Sequence, residues 1–240
     1  MKKILTMICG MLLTAMSSMN AKTLVVYYSY TNNCHDIVQT LSSQIDTDVM
    51  RIEPADKTQK YEANGYAIGT KLLNAIKAAP NDAASYPAID PVSITDLNPY
   101  HTIIIVTPLW WSQMAAIMQT YLFHHGAEMA GKNIGLIVSS ASSSISGVVN
   151  DCKRLVPNGK YFSENLWINN SNRSNCSTLI KNWLTSVNYN SLTAIKTPTT
   201  KSTTHNYYSL SGQRLSHAPK RRVFIANGKK VLSKSQNCLQ

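Results

Sequence analysis

TLVVYYSYTNNC, residues 23–34, runs five β-prone apolar side chains (Leu24, Val25, Val26, Tyr27, Tyr28) straight into Ser29, Thr31, Asn32 and Asn33. An unbroken apolar run of this length predicts a strand buried on both faces, as in a parallel sheet. The period then changes, with Ile37, Val38, Leu41 and Ile45 falling on one helical face. Strand, small polar loop and helix together make the layout of a phosphate cradle. A helix N-terminus offers unpaired N–H groups and a partial positive charge, and hydroxyls add donors. The same residues would also cap the helix of an ordinary βα turn, and this stretch alone leaves both readings open.

Working outward, the strand–helix alternation repeats. Val49, Met50 and Ile52 predict a short second strand that stops before Pro54. A helical pattern follows over 61–79, then a polar, proline-bearing stretch through Pro80, Pro87, Pro91 and Pro99. Residues 102–107 form the second buried strand, which Pro108 is expected to end, with Leu109, Trp110, Trp111 and Ser112 as its loop. A helix over 114–129, a strand over 133–140 and a helix near 148–155 come next. A weak fifth strand over 161–168 and a closing helix over 174–187 complete the pattern. This order implies an α/β, doubly wound parallel sheet with helices on both faces. Ligands of such sheets sit beyond the carboxyl ends of the strands, where strand order reverses. Three loops are expected to converge there: 29–34, 107–112 and 139–147.

The first loop carries neither GxxxxGK[ST] nor GxGxxG, so a triphosphate or a dinucleotide is not indicated and one phosphate monoester fits best. Trp110 and Trp111 offer flat apolar walls for a planar ring, although either indole serves equally well as core. The small residues of the third loop let backbone N–H groups approach a ring edge. Phosphate on one side and a planar aromatic on the other point to flavin mononucleotide, FMN.

VVYYSYTNN, IIIVTPLWW and IGLIVSSASSSISG together resemble flavodoxins, particularly those with a Pro-x-Trp-Trp second loop, over residues 23 to about 188. The resemblance implies a five-stranded sheet of order 2-1-3-4-5, one FMN, and electron or hydride chemistry at the flavin. It assigns the phosphate to Ser29, Thr31, Asn32, Asn33 and Cys34. The isoalloxazine falls to Pro108, Leu109, Trp110 and Trp111, and to the span from Ser139 through Ser142, Ser143 and Ser144 to Gly147. The sequence also departs from that pattern. Asn32 stands where the family has glycine, and Asn tolerates a left-handed backbone better than most residues. Cys34 replaces a threonine and loses a hydroxyl donor. Ser142 and Ser143 stand where relatives commonly carry glycines.

Outside this domain, residues 1–21 read as a secretory signal peptide: Lys2 and Lys3, an apolar run from Ile4 to Ala15, then small polar residues. No other segment approaches a membrane-spanning length of apolar residues. The net charge of +11 is not a nucleic-acid signal once it is located. Nine Lys and Arg and no acidic residue lie between Thr193 and Gln240, which leaves twelve basic against twelve acidic residues in 22–192. Cys34, Cys152, Cys176 and Cys238 match no metal or CxxC spacing, and three complete disulfide pairings stay open. Cys34 sits where a helix N-terminus lowers a thiol pKa, or else simply fills a turn.

Residues 189–204 read as a linker. Residues 205–240 form a small β-module with a hairpin turn at Asn227-Gly228. That module resembles the C-terminal sorting modules of exported proteins of Gram-negative bacteria, which implies a periplasmic, cell-surface or secreted protein. The expected function is electron transfer through bound FMN to a redox partner protein or small-molecule acceptor. An FMN-dependent NAD(P)H:quinone-type oxidoreductase and a flavin-free binding module are the alternatives. No side chain stands out as catalytic.

Overall fold

In the computed structural model the described residues are 22–61, 67–193, 207–215, 219, 223–226 and 229–232. The leader expected over 1–21, the Asn227-Gly228 turn, Cys238 and most of the linker lie outside them. The chain divides into two units at Ile195/Lys196.

The first unit is a parallel sheet between two helical layers. β1 (Lys22–Tyr28) has edge strand β2 (Asp48–Ile52) on one side and the central strand β3 (Tyr100–Trp110) on the other. β5 (Asn133–Ser139) follows β3, and the last position is shared by β6 (Lys160–Tyr161) and β7 (Leu166–Ile168). Side chains alternate across β1 as the pleat demands. Leu24, Val26 and Tyr28 join one core with α2 (Ala67–Ala78), α3 (Ala116–His125) and α4 (Ser146–Leu155). Val25 and Tyr27 join the other with α1 (Asn33–Ser42), α5 (Cys176–Ser186) and α6 (Tyr189–Thr193). Both faces are covered, so the strands read as continuous apolar runs.

Three expectations need correction. The sheet has seven strands rather than five, because its path β2-β1-β3-β5-β6 carries two additions. The first addition arises because Pro108 does not end β3. By that point β1 has stopped, Pro108 pairs only with Ser139 of β5, and a missing N–H is tolerated where the ladder runs out. β3 therefore continues to Trp110 and doubles back through Trp111-Ser112 into β4 (Gln113–Met114), pairing Trp110 with Gln113 and Leu109 with Met114. Both turn residues hold positive φ, 45° and 63°, the geometry of a two-residue hairpin turn.

The second addition is the break between β6 and β7. The Phe162 N–H still bonds the Ile134 carbonyl at 2.9 Å, and its ring packs against Trp183 of α5 with centroids 5.6 Å apart. The Trp183 indole N–H donates to the Glu164 carbonyl at 2.9 Å where the chain leaves the ladder. The last correction concerns the linker, which does not start at residue 189. Tyr189–Thr193 is helical, and the buried Tyr189 hydroxyl bonds Thr23 of β1 at 2.7 Å.

The second unit is an antiparallel four-stranded sheet of order β11-β10-β8-β9, comprising β8 (Tyr207–Tyr208), β9 (Arg214–Leu215), β10 (Val223–Ala226) and β11 (Lys229–Leu232). Ala226 pairs with Lys229, and Phe224 is buried edge-on to Tyr207. Among the described residues no helix is long and apolar enough to cross a membrane.

Burial also fixes the chemistry of the thiols. Cys34, Cys152 and Cys176 are free, and burial pushes both Cys34 and Cys152 up to about 12. The expectation that a helix start lowers the Cys34 pKa is thus overturned, because loss of water outweighs the helix field. Burial also raises the phenols of Tyr28 and Tyr121.

An unfolded chain releases these protons near the ordinary values, about 8.5 for a thiol and about 10 for a phenol, while the folded chain keeps them. Stability is therefore complete below about pH 8.5 and declines as pH rises, each buried thiol costing about 1.4 kcal/mol per pH unit until its folded value is reached. Urea midpoints measured at pH 7, 9 and 10.5 should fall in that order. Iodoacetamide on the native protein should label the half-buried Cys176 before Cys34 and Cys152.

Candidate functional site

The order of strand addition reverses between β1 and β3, and a cavity of about 310 Å³ lies beyond their carboxyl ends. The first loop supplies Ser29, Tyr30, Thr31, Asn33 and Cys34, the end of β3 supplies Pro108, Leu109 and Trp110, and the end of β5 supplies Ser139, Ser140 and Ala141. Tyr61 and Asn170 complete the lining, which among the described residues contains no charged side chain.

The first loop is shaped by its backbone. Asn32, at the N-cap of α1, adopts φ 62°, ψ 0°, and its side chain makes no capping bond. The Ser29 hydroxyl oxygen takes the capping role, accepting from the His35 N–H at 3.2 Å, while the Asp36 N–H goes to the Asn32 carbonyl at 2.9 Å. Asn33 and Cys34, the first two helical residues, are left with N–H groups that have no acceptor within the helix. Ser29 thus does the capping, and the next two amides lie beside the cavity. Arg51 of β2 braces this loop from behind, donating to the Ser29 carbonyl at 2.6 Å.

Since the Asn32 side chain makes no capping bond, its backbone conformation accounts for the residue type there. Asn32→Ala is expected to cost about 1 kcal/mol, because a Cβ disfavours the left-handed region, and Asn32→Gly should be neutral or slightly stabilising. Urea denaturation of the two variants checks this.

The two tryptophans divide their roles. Trp110 is only 3% exposed, lines the cavity, and meets the Tyr28 ring edge-on at 6.0 Å. Trp111 is 39% exposed, does not line the cavity, and lays its ring on Gly69 of α2, where a Cβ would come within 2.4 Å of it. A second aromatic pair, Tyr30 and Tyr61, lines the same cavity with centroids 6.2 Å apart.

The third loop contributes less than expected. Ser139 lines the cavity and hydrogen-bonds the Cys34 thiol, which ties the first and third loops together. Ser142, Ser143 and Ser144 are exposed and stand away from the cavity. The Ser140 hydroxyl turns the chain there, donating to the Ser143 carbonyl at 3.2 Å and accepting from the Trp167 indole at 2.8 Å. Gly147 does not reach the cavity either; it packs against the Ser112 carbonyl at the hairpin tip. Ser140 and Ala141 fall within the span expected at the ring, whereas sequence reasoning missed Tyr30, Tyr61 and Asn170. For Asn170 a signal existed, since the run Asn169-Asn170-Ser171-Asn172 follows a strand as the first loop does, and its Asn170 N–H bonds the Ala141 carbonyl at 3.2 Å.

This arrangement defines a doubly wound α/β protein with an aromatic-walled cavity at its switch point. The flavodoxin family profile matches residues 22–188, and the chain belongs to that family. Among solved structures it is similar to a candidate flavoprotein from Bacteroides eggerthii, with 25% identity over 70% of this chain and 99% of that one and a TM-score of 0.53. A candidate flavoprotein from Bacteroides uniformis gives 25% identity, 68% and 99% coverage and a TM-score of 0.54. A flavoprotein from Lactobacillus acidophilus, solved in complex with FMN, shares the fold at 20% identity, covering 65% and 99%, with a TM-score of 0.52. No curated protein matches the chain.

Proposed function

We propose that this flavodoxin binds FMN in the switch-point cavity and passes electrons through it. The observation that carries the reading is the convergence of three strand-end loops on one cavity, with the open amides of α1 and the Trp110 indole both at its wall. The residues fit the group. The amides of Asn33 and Cys34 and the hydroxyls of Ser29 and Thr31 are donors suited to a phosphate monoester at a helix N-terminus. Trp110, Tyr30 and Tyr61 offer aromatic surface to a flat ring. Among the described residues the lining holds no lysine or arginine, so direct contacts to a phosphate would come from N–H and hydroxyl dipoles, with the Arg51 guanidinium behind the loop on the Ser29 carbonyl.

Bound FMN supplies the redox chemistry. The protein's part is to orient the group, exclude water with Trp110 and Leu109, and keep the Cys34 thiol protonated and unreactive. A redox partner protein or a small-molecule acceptor would take the electrons. The leader pattern and the C-terminal module support export, to the periplasm or the cell surface.

FMN fluorescence titrated with the full chain tests the reading. One-to-one quenching is expected, and no quenching at tens of micromolar protein overturns it. Steady NAD(P)H oxidation with a quinone by the loaded protein would place it among the reductases instead. N-terminal sequencing of protein from fractionated cells tests export, with Lys22 expected as the first residue.

A further inference from the structure

The β3–β4 hairpin that carries Trp110 is held from behind by a closed circuit of side-chain hydrogen bonds. In a two-residue hairpin Trp110 and Gln113 face each other as the closing pair, so the N–H and C=O of Met114 point away from β3. Met114 is fully buried, and both groups would be orphaned without side-chain partners. Asp151 of α4 accepts the Met114 N–H at 2.9 Å, and the Gln119 amide of α3 donates to the Met114 carbonyl at 2.7 Å. Arg154 closes the circuit, donating to the Gln119 amide oxygen at 2.8 Å and to the other Asp151 oxygen at 3.4 Å. It also donates to the Tyr86 hydroxyl at 3.1 Å.

The chemistry leaves one arrangement. A guanidinium only donates, so the Gln119 oxygen must face Arg154 and its NH₂ must face Met114. Gln119 is itself completely buried, a costly place for an amide that merely packs. None of the three residues lines the ligand cavity.

We propose that Gln119, Asp151 and Arg154 are positioning residues: they hold the hairpin so that Trp110 stands at the wall of the site before ligand arrives. The proposal rests on the FMN reading for its ligand, but its mechanical half does not. A wall fixed in advance spares the ligand the cost of ordering it.

The test compares the wild-type chain with Gln119→Leu, which keeps bulk but removes both polar ends, and Asp151→Asn, which keeps shape but removes the charge. Ile180→Ala, a truncation in the opposite core on α5, controls for general loss of stability. Hydrogen exchange of the amides of residues 110–115 is read first, on ligand-free protein, and then the FMN dissociation constant and the visible absorption band of the bound flavin.

Gln119→Leu is expected to speed hairpin exchange, weaken FMN about fivefold or more and shift the band, with Asp151→Asn following in the same direction. Ile180→Ala should lower the melting temperature and leave the hairpin amides and the band unchanged. Wild-type exchange and affinity in both polar variants overturn the positioning role while leaving FMN binding intact. If the wild type itself binds no FMN, the functional reading falls, and the ligand-free exchange still decides whether the circuit holds the hairpin.

Discussion

Gly147→Ala is expected to weaken FMN at least about tenfold and to cost the fold about 1–3 kcal/mol, the range seen when atoms are forced into a packed site. The cause is a backbone contact. A Cβ at Gly147 would sit 1.9 Å from the carbonyl oxygen of Ser112 and 3.1 Å from its carbon. No flexible side-chain end can swing aside there, so either the start of α4 or the hairpin tip must move. The tip has little freedom to do so. Trp111 and Ser112 already occupy positive φ, and the Trp111 ring lies on Gly69 of α2. Displacement is therefore expected to pass along the hairpin to Trp110, at the cavity wall. Thermal melting together with FMN titration checks the prediction. Unchanged values in both would mean that α4 and the hairpin do not pack as closely in solution as this contact requires.

That glycine illustrates what was and was not legible in the sequence. The parallel sheet was legible because Leu24–Tyr28, Ile103–Val106 and Ile134–Val138 are buried on both faces, and burial on both faces leaves an unbroken apolar run. The first loop was legible because the requirements of a helix N-terminus are local: Ser29 caps, Asn32 takes the left-handed turn, and Asn33 and Cys34 expose amides.

The second loop is not legible locally, because proline and paired tryptophans look like a break. The hairpin forms there through partners distant in sequence, namely Gly69, Gln119, Gly147 and Asp151. Nothing in the local run Trp111-Ser112 announces a turn usually made by Asn-Gly. The third loop reaches the cavity over less of its length than its composition suggests. Its serines are small enough to approach a ligand, but the Ser140 and Trp167 side chains turn the chain so that only Ser139, Ser140 and Ala141 reach the cavity. Tyr61 was invisible for the opposite reason, since it comes from a segment far along the chain that carries no motif. The Cys34 thiol shows two rules in competition, and burial outweighs the helix terminus.

The adjacent tryptophans allow the sharpest comparison, because two neighbouring substitutions of the same kind should behave very differently. Trp110→Ala is expected to destabilise the protein by about 3–5 kcal/mol, the usual cost of truncating a buried aromatic. It removes the edge contact to Tyr28 and opens the cavity wall, so FMN quenching should be largely lost as well. Trp111→Ala removes a partly exposed ring from above Gly69 and should cost under about 1.5 kcal/mol, since little apolar area returns to water. Its small effect on FMN would arise only through the hairpin.

Trp110→Phe separates packing from ring chemistry. It keeps an aromatic against Tyr28, so it should recover most of the stability while leaving FMN weaker than in the wild type, because a phenyl ring presents a smaller face. Melting curves and quenching titrations of the three variants make the comparison. Equal losses of FMN affinity from Trp110→Ala and Trp111→Ala would contradict the division of roles. A larger loss from Trp111→Ala would mean that the exposed indole swings over the site when ligand binds, making the outer tryptophan the true face of the flavin pocket.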